Sequence, residues 1–345
     1  MPFSFSPRST SLTGLLLLAG LGAAVSPETA HAQSSPADNR GTWTLLVEND
    51  VYSNTDRHYT NGLHLSWLSA SGDVPEFAMT AASWLPFLLS PEGKRRIGFN
   101  FGQSLFTPAD IKIAEPQPDD RPWAAWLYGG IALLSETPRT LESLELDIGV
   151  VGPAAFGEDV QKFWHDMIGS PQPRGWDNQI KNEPAVALIY ERKWREEVWR
   201  FGGKGSEIGA DVTPLVGAAL GNVFTYASAG VALRFGEDLP ADFGPPRIRP
   251  SLPGSGFFDL DDRFGWYVFA ALEGRAVARN IFLDGNTFVD SERVDKEPFV
   301  GDFQFGFAVM VNTARITVSQ IFRTREFDGQ REPDRFGAVS VSFKW

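Results

Sequence analysis

The 345-residue sequence contains no cysteine. An exported chain without disulfide staples draws its stability from a large core or from a sheet whose backbone hydrogen bonds close on themselves. Histidine is also scarce, with only His31, His58, His64 and His165. Past residue 32 no run comes near the 18 or so consecutive apolar residues of a membrane-crossing helix, which excludes helical spanning by the exported chain. The 31 basic residues are outnumbered by 43 acidic ones, and a formal net charge of −12 argues against nucleic acid as a partner. A Gly-x-Ser-x-Gly elbow, a His-Glu-x-x-His zinc site and a phosphate-binding glycine loop are all missing, so an α/β serine hydrolase or a zincin gains no support.

The first 32 residues read as a secretory signal. Arg8 stands in a short polar start, an apolar run extends from Leu12 to Val25, and Ala30-His31-Ala32 supplies a small-x-small cleavage site. The domain reading is a signal peptide over residues 1–32 and one barrel domain over residues 33–345.

A barrel follows from the rest of the composition. The chain has 34 Gly, 27 Phe and 11 Trp, yet its mean hydropathy is only −0.17, as expected when each strand is apolar on one face. The final segment is the clearest case: Val339, Val341, Phe343 and Trp345 share one face, Ser340, Ser342 and Lys344 the other. An amphipathic last strand ending on an aromatic resembles the signal read by the barrel-assembly machinery. Trp43, Leu45 and Val47 alternate in the same way, as do Leu63, Leu65 and Trp67, and Ile97, Phe99 and Phe101. Eight more candidates fall at Trp123–Leu134, Leu141–Val151, Ala185–Trp194, Glu207–Leu220, Val223–Phe235, Gly265–Arg275, Val300–Val311 and Ala314–Arg323. The expected fold is all-β, a transmembrane antiparallel β-barrel of about 12 strands, with a short helix over residues 156–168 in which Val160, Phe163, Trp164 and Met167 recur at helical spacing. Ser71–Glu92, Ala109–Arg121, Gly236–Asp262 and Asp284–Glu297 read as extracellular loops or rim segments. Acidic loops beside an anionic lipopolysaccharide leaflet repel it unless divalent cations bridge them, so calcium is an expected partner.

Two stretches carry polar groups able to do chemistry. On the helix, Gln161 and His165 lie four residues apart on one face with Trp164 beside them. A neutral, desolvated imidazole there is a competent general base; the alternative is a solvated histidine on an amphipathic helix. At the end of the first strand Asn49 and Asp50 follow Val47, and parity puts Asn49 on the lipid side. An amide is tolerable there at the membrane rim beside a lipid ester, and the alternative is an Asx turn capping the strand. Glu48, Asp50 and Asp56 offer hard oxygen ligands without the spacing of an EF-hand loop.

Taken in order, these stretches resemble the outer-membrane lipid A 3′-O-deacylase family, the LpxR-like barrels. The matching residues are Glu48-Asn49-Asp50, Thr55-Asp56-Arg57, Tyr59-Thr60-Asn61-Gly62, Gly102-Gln103, Thr107-Pro108, Arg121-Pro122-Trp123-Ala124, Gly149-Val150-Val151-Gly152-Pro153, Gln161 with His165, Gly175-Trp176-Asp177-Asn178-Gln179 and Asn182-Glu183-Pro184. The resemblance implies a bacterial outer-membrane enzyme that hydrolyses the 3′ ester of lipid A near the outer leaflet, using a histidine-activated water with calcium assistance. By position it assigns functional roles to His165, Asn49, Asp50 and Thr60, with Gln161 as a helical neighbour and Asp50 as a calcium ligand or imidazolium partner. A functional lysine is expected shortly after Thr107-Pro108, where Lys112 stands without an exact match. Ala125 departs from the glycine often found in relatives. A non-catalytic barrel, either a small porin or a surface-binding protein, and an outer-membrane phospholipase remain as alternatives.

Overall fold

Two-residue alternation becomes a closed sheet in the computed structural model. It describes residues 40–50, 57–203, 207–240, 242–244, 247–248, 256–258 and 264–345. The expected signal segment, Thr55 and Asp56 lie outside the described residues. The strands are β1 (Thr42–Asn49), β2 (His58–Leu68), β3 (Lys94–Thr107), β4 (Ala124–Glu136), β5 (Thr140–Val151), β6 (Glu183–Trp194), β7 (Glu196–Phe201), β8 (Ile208–Gly221), β9 (Phe224–Glu237), β10 (Phe264–Asn280), β11 (Phe299–Val311), β12 (Ala314–Arg323) and β13 (Asp334–Lys344). Each pairs antiparallel with its neighbours, and β1 closes the ring against β13. The first and last strands also meet end to end, Gly41 N–H donating to the Trp345 carbonyl at 3.1 Å.

The barrel has twelve staves, because β6 and β7 are one strand with a gap. Lys193 pairs with Leu215 and Glu196 with Val212, in the same register along β8. Between them falls Pro214, which has no N–H to give to a ladder. Most sequence-derived strands are recovered within two or three residues at their ends, and Ala314–Arg323 at both.

Side-chain parity then separates two solvents. Outward positions carry exposed apolar groups such as Leu45, Leu65, Phe101, Leu233, Phe305 and Phe343, the belt a bilayer requires. Inward positions carry buried charge. Asp302 binds Arg275 at 3.1 Å and Arg323 at 2.9 Å, and Arg315 reaches Asp242 at 2.6 Å. Each carboxylate is met by a guanidinium, which offsets the cost of burying either charge alone.

Twelve antiparallel staves put the start of β1 and the end of β13 at one end, the termini end. The connections 69–93 and 238–263 lie at that end, and 50–57, 108–123, 152–182, 281–298 and 324–333 at the other. Ser71–Glu92 and Gly236–Asp262 therefore lie at the opposite rim from Ala109–Arg121 and Asp284–Glu297, so the four segments are not all extracellular. Nor do the described residues of Gly236–Asp262 point away from the barrel. Phe257 and Phe258 are buried under Arg96 and Arg315, and Arg247 runs up to Glu48 near the tip of β1, Nε to Oε1 2.6 Å. From the opposite end the short helix α3 (Ile281–Asp284) drops Phe282 onto Phe106, ring centroids 4.0 Å apart. Between these two inserts, Tyr59, Trp126, Ile248 and Phe336 fill the lumen. What space remains includes a cavity of about 100 Å³ beside His64, Asn100, Asp147 and Lys193.

A lumen blocked from both ends predicts no steady conductance in planar bilayers; stable open-channel steps would contradict this packing. Arg247→Ala strands the buried Glu48 carboxylate and is expected to cost about 3–5 kcal/mol. Urea unfolding in lipid vesicles measures it, and an unchanged midpoint would mean that the ion pair is not buried as described.

Candidate functional site

At the tip of β1, Asp50 is buried and its Oδ2 accepts the Arg57 backbone N–H at 2.6 Å, which ties the two sides of the β1–β2 connection. Two residues into β2 the ladder with β3 slips. Tyr59 pairs with Phe106 and Asn61 with Leu105, leaving Thr60 as an extra residue in a bulge. The bulge turns Tyr59 into the lumen, against Phe106 and Phe336, while buried Thr60 meets Thr107, Oγ1 to Oγ1 2.7 Å. Asn49 pairs with Asn61 across the sheet, so both share the outward face. Asn49 is half-buried and Asn61 buried, a shelf of amides at the rim of the lipid-facing wall.

The expected helix forms as α2 (Gly157–Ile168), which starts one residue later than the sequence reading. It packs on the outside of the barrel wall. Gly157 sits where any Cβ would lie 2.5 Å from the Ala125 Cβ and 2.6 Å from the Trp176 ring, so only glycine permits this approach. Ala125, the departure noted above, lies under that contact. Leu105, Ile111, Trp123, Ala125, Ala155 and Trp176 form the apolar bed between wall and helix. Gln103 fastens it, Nε2 donating to the Ala155 carbonyl at 2.6 Å.

The helix turns polar side chains toward the wall. Its buried residues are Gly157, Gln161 and His165, while Phe163 and Met167 are 65% and 56% exposed. Phe163 and Met167 share the exposed surface with Asp159, Lys162 and Asp166, and Val160 packs toward the apolar bed. His165 is thus buried, which sets aside the solvated alternative. Its Nδ1 lies 2.5 Å from the Pro171 carbonyl. A carbonyl only accepts, so Nδ1 donates, and in the neutral ring the lone pair is then on Nε2, the tautomer a general base needs. One turn earlier, Gln161 Oε1 accepts the Trp176 indole N–H at 2.8 Å, which fixes the amide with Nε2 as the remaining donor.

The sequence-derived residues therefore fall into two groups, Asn49, Asp50 and Thr60 at the strand tips and Gln161 and His165 on α2. β3 ties them. Asn49, Asn61, Leu105 and Ala125 form one row across four strands of the outer wall, with Gly157 over its far end. At strand spacing that row spans about 14 Å. Lys112 is exposed, next to the buried Ile111 of the apolar bed. Asp50 and Asn49 offer the oxygen donors a hard cation takes, whereas Glu48 is committed to Arg247. Among the described residues no group of three or more His, Asp or Glu side chains is arranged to hold a metal ion. A calcium on Asp50 would complete its shell from backbone, water or substrate.

Sequence reasoning gave His58 no role, yet it pins three connections together. It is held in the left-handed region, φ 64°, with Nδ1 2.5 Å from Asp334 and Nε2 3.5 Å from Asp120, its ring edge-on to Phe327. Beside it Arg121 crosses the mouth, stacked on Phe106 and paired with Glu326 at 3.3 Å. Nothing local in the sequence marks His58, because its partners lie 62 and 276 positions away.

The family described as outer membrane protein LpxR matches residues 15–345. The chain belongs to it. LpxR from Salmonella typhimurium is similar in structure, with a TM-score of 0.70 and 23% identity over 88% of this chain and 99% of that one, which shows the shared barrel. The β domain of the Bordetella autotransporter Brka is a more distant match, TM-score 0.39 and 10% identity over 89% and 99% of the two chains. So is the NalP translocator domain from Neisseria meningitidis, TM-score 0.34 and 7% identity over 91% and 90%. No curated protein sequence matches significantly. Family and barrel together place this LpxR-family protein in the bacterial outer membrane.

The Asp120 pin generates a pH test. Burial works to raise its carboxyl, but bonds from His58 and from the Ala109 and Arg121 backbone N–H groups outweigh burial and hold it below the usual range. A depressed carboxyl stabilises fully above its unfolded value of about 3.9, and that stabilisation is lost as pH falls through the lower folded value. Exchange of the Ala109 and Arg121 amides, corrected for intrinsic rate, is expected to keep its protection down to about pH 4 and lose it below. Asp120→Asn is expected to lack that transition; an identical profile in the variant would remove Asp120 as the cause.

Proposed function

We propose that this protein is a calcium-assisted lipid A deacylase of the outer membrane, releasing the 3′-linked acyl or acyloxyacyl group of lipopolysaccharide by ester hydrolysis at the outer wall. The observation that carries the reading is the buried His165, its Nδ1 held by the Pro171 carbonyl, on a helix packed against the outer wall. Membership of the LpxR family supports it, as does the blocked lumen, which weighs against a porin.

In this mechanism His165 Nε2 takes a proton from water as the water oxygen attacks the ester carbonyl carbon. Negative charge grows on the carbonyl oxygen, where N–H and O–H donors from Asn49, Thr60 and Gln161 stabilise it. The carbon–oxygen bond to the sugar then breaks, and the imidazolium returns its proton to the leaving 3′ oxygen. A free fatty acid and a 3′-hydroxyl result. Asp50 would stabilise the imidazolium or hold calcium, and calcium bound there would supply positive charge to the growing oxyanion. Lipid A reaches this site sideways from the leaflet, without entering the lumen. Phe163 and Met167 border the acyl chains.

Expression in a lipid A-bearing membrane with calcium is expected to lower lipid A mass by the 3′ acyl or acyloxyacyl group. Unchanged lipid A with release of fatty acid from phospholipid vesicles would instead indicate a phospholipase. His165→Ala is expected to leave the heat-modifiable barrel intact and cut turnover about 10²- to 10⁴-fold; retained turnover would remove His165 as the base. Chelation of calcium is expected to suppress turnover reversibly, and Asp50→Asn to raise the calcium needed for half-maximal rate.

A further inference from the structure

The connection after β2 departs from the short turns that outer-membrane barrels place at the end carrying the termini. At that end 137–139 and 312–313 are tight turns, whereas 69–93 includes the helix α1 (Glu76–Ser83). Between Glu76 and Glu92 the chain has no charged residue. Within that stretch Phe77 is 65% exposed, Trp84 77% and Phe87 91%. A contiguous apolar surface of this kind marks an interaction site.

Both ends of the segment are held to the barrel, so this surface is fixed outward. At the start Arg96 donates to the Ser69 carbonyl at 2.9 Å. At the finish Ser90 N–H bonds the Glu142 carboxylate, the Ser90 carbonyl accepts Ser135 Oγ at 2.9 Å, and Leu89 is fully buried. Ala78 and Ala82 use the inward side of the helix. The exposed aromatics have no route back into the core.

We propose that residues 75–89 form an interfacial anchor whose apolar side lies in the membrane leaflet at the termini end of the barrel. Lipid is the favoured occupant because the surface continues an existing one. Trp67, one residue before the end of β2, stacks on Phe99 with centroids 6.0 Å apart on the outward face, and the belt runs on through Leu65 and Phe101. Tryptophan suits the boundary between acyl chains and headgroups, and exposed Lys94 just beyond suits an anionic headgroup. The anchor would hold the barrel at a set depth, and so hold the rim with Asn49 and α2 at a set height at the opposite end.

The absence of cysteine makes the test direct. Phe87→Cys, with Met79→Cys as a second position should the first fail to fold, is labelled with an environment-sensitive fluorophore. The full-length protein is then reconstituted in phosphatidylethanolamine–phosphatidylglycerol vesicles. Phe101→Cys on the lipid-facing wall and Asp73→Cys in the polar part of the connection are the references. Nitroxides on the acyl chains are expected to quench the residue 87 or 79 label as strongly as the residue 101 label, while iodide in the buffer quenches only residue 73. Quenching by iodide at residue 73's level would overturn the anchor. Shielding from both quenchers would also overturn it, since the occupant would then be protein.

Discussion

Everything in this protein hangs on β1 being paired on both sides, to β2 and to β13. In hydrocarbon an unpaired backbone N–H or carbonyl costs several kcal/mol, and the pairing of Thr42–Asn49 with both neighbours leaves no edge. Closure also sorts the side chains. Once the ring is complete, a one-residue alternation divides an outer apolar belt from an inner set of ion pairs, and a slip of one position would exchange them. The tip of β1, where Glu48 faces in to Arg247 and Asn49 faces out, is where the two environments come within one residue of each other.

That division reverses the usual logic of a soluble enzyme. The polar interior is packed with Arg–Asp pairs and two inserted segments and provides rigidity, while the proposed chemistry sits outside, between the wall and a helix packed against it. α2 can bury Gln161 and His165 because the Trp176 indole and the Pro171 carbonyl meet them. The apolar bed of Trp123, Trp176 and Leu105 is a local core on the lipid side of the wall, and it holds the Trp176 indole where it can orient Gln161.

The strand pattern was legible because burial of alternate residues is a local property, and twelve staves were countable from it. The helix and the shared face of Gln161 and His165 were legible for the same reason, since helical pitch is local. What escaped depended on distant partners. The bulge at Thr60 is set by β3, the gap before β7 by Pro214 on another strand, and the role of His58 by Asp120 and Asp334. Gly236–Asp262 read as an outside loop because its glycines, prolines and acids suit solvent equally well as a charged lumen. Its Asp242 finds Arg234 and Arg315 inside. The apolar stripe Val160, Phe163, Trp164 and Met167 implied a helix correctly but gave no sign that Phe163 and Met167 stay exposed while Gln161 and His165 are buried.

In the proposed mechanism substrate meets the protein on the outer wall beneath α2 and never in the lumen. Photocrosslinking tests it most directly, using lipid A with a photoreactive group on its 3′ acyl chain and the His165→Ala protein, in which substrate persists. The account predicts that labelled peptides come from α2 and from the outward faces of β1 to β3 near Asn49 and Thr60. Labelling confined to lumen residues such as Tyr128 or Arg275 would contradict it.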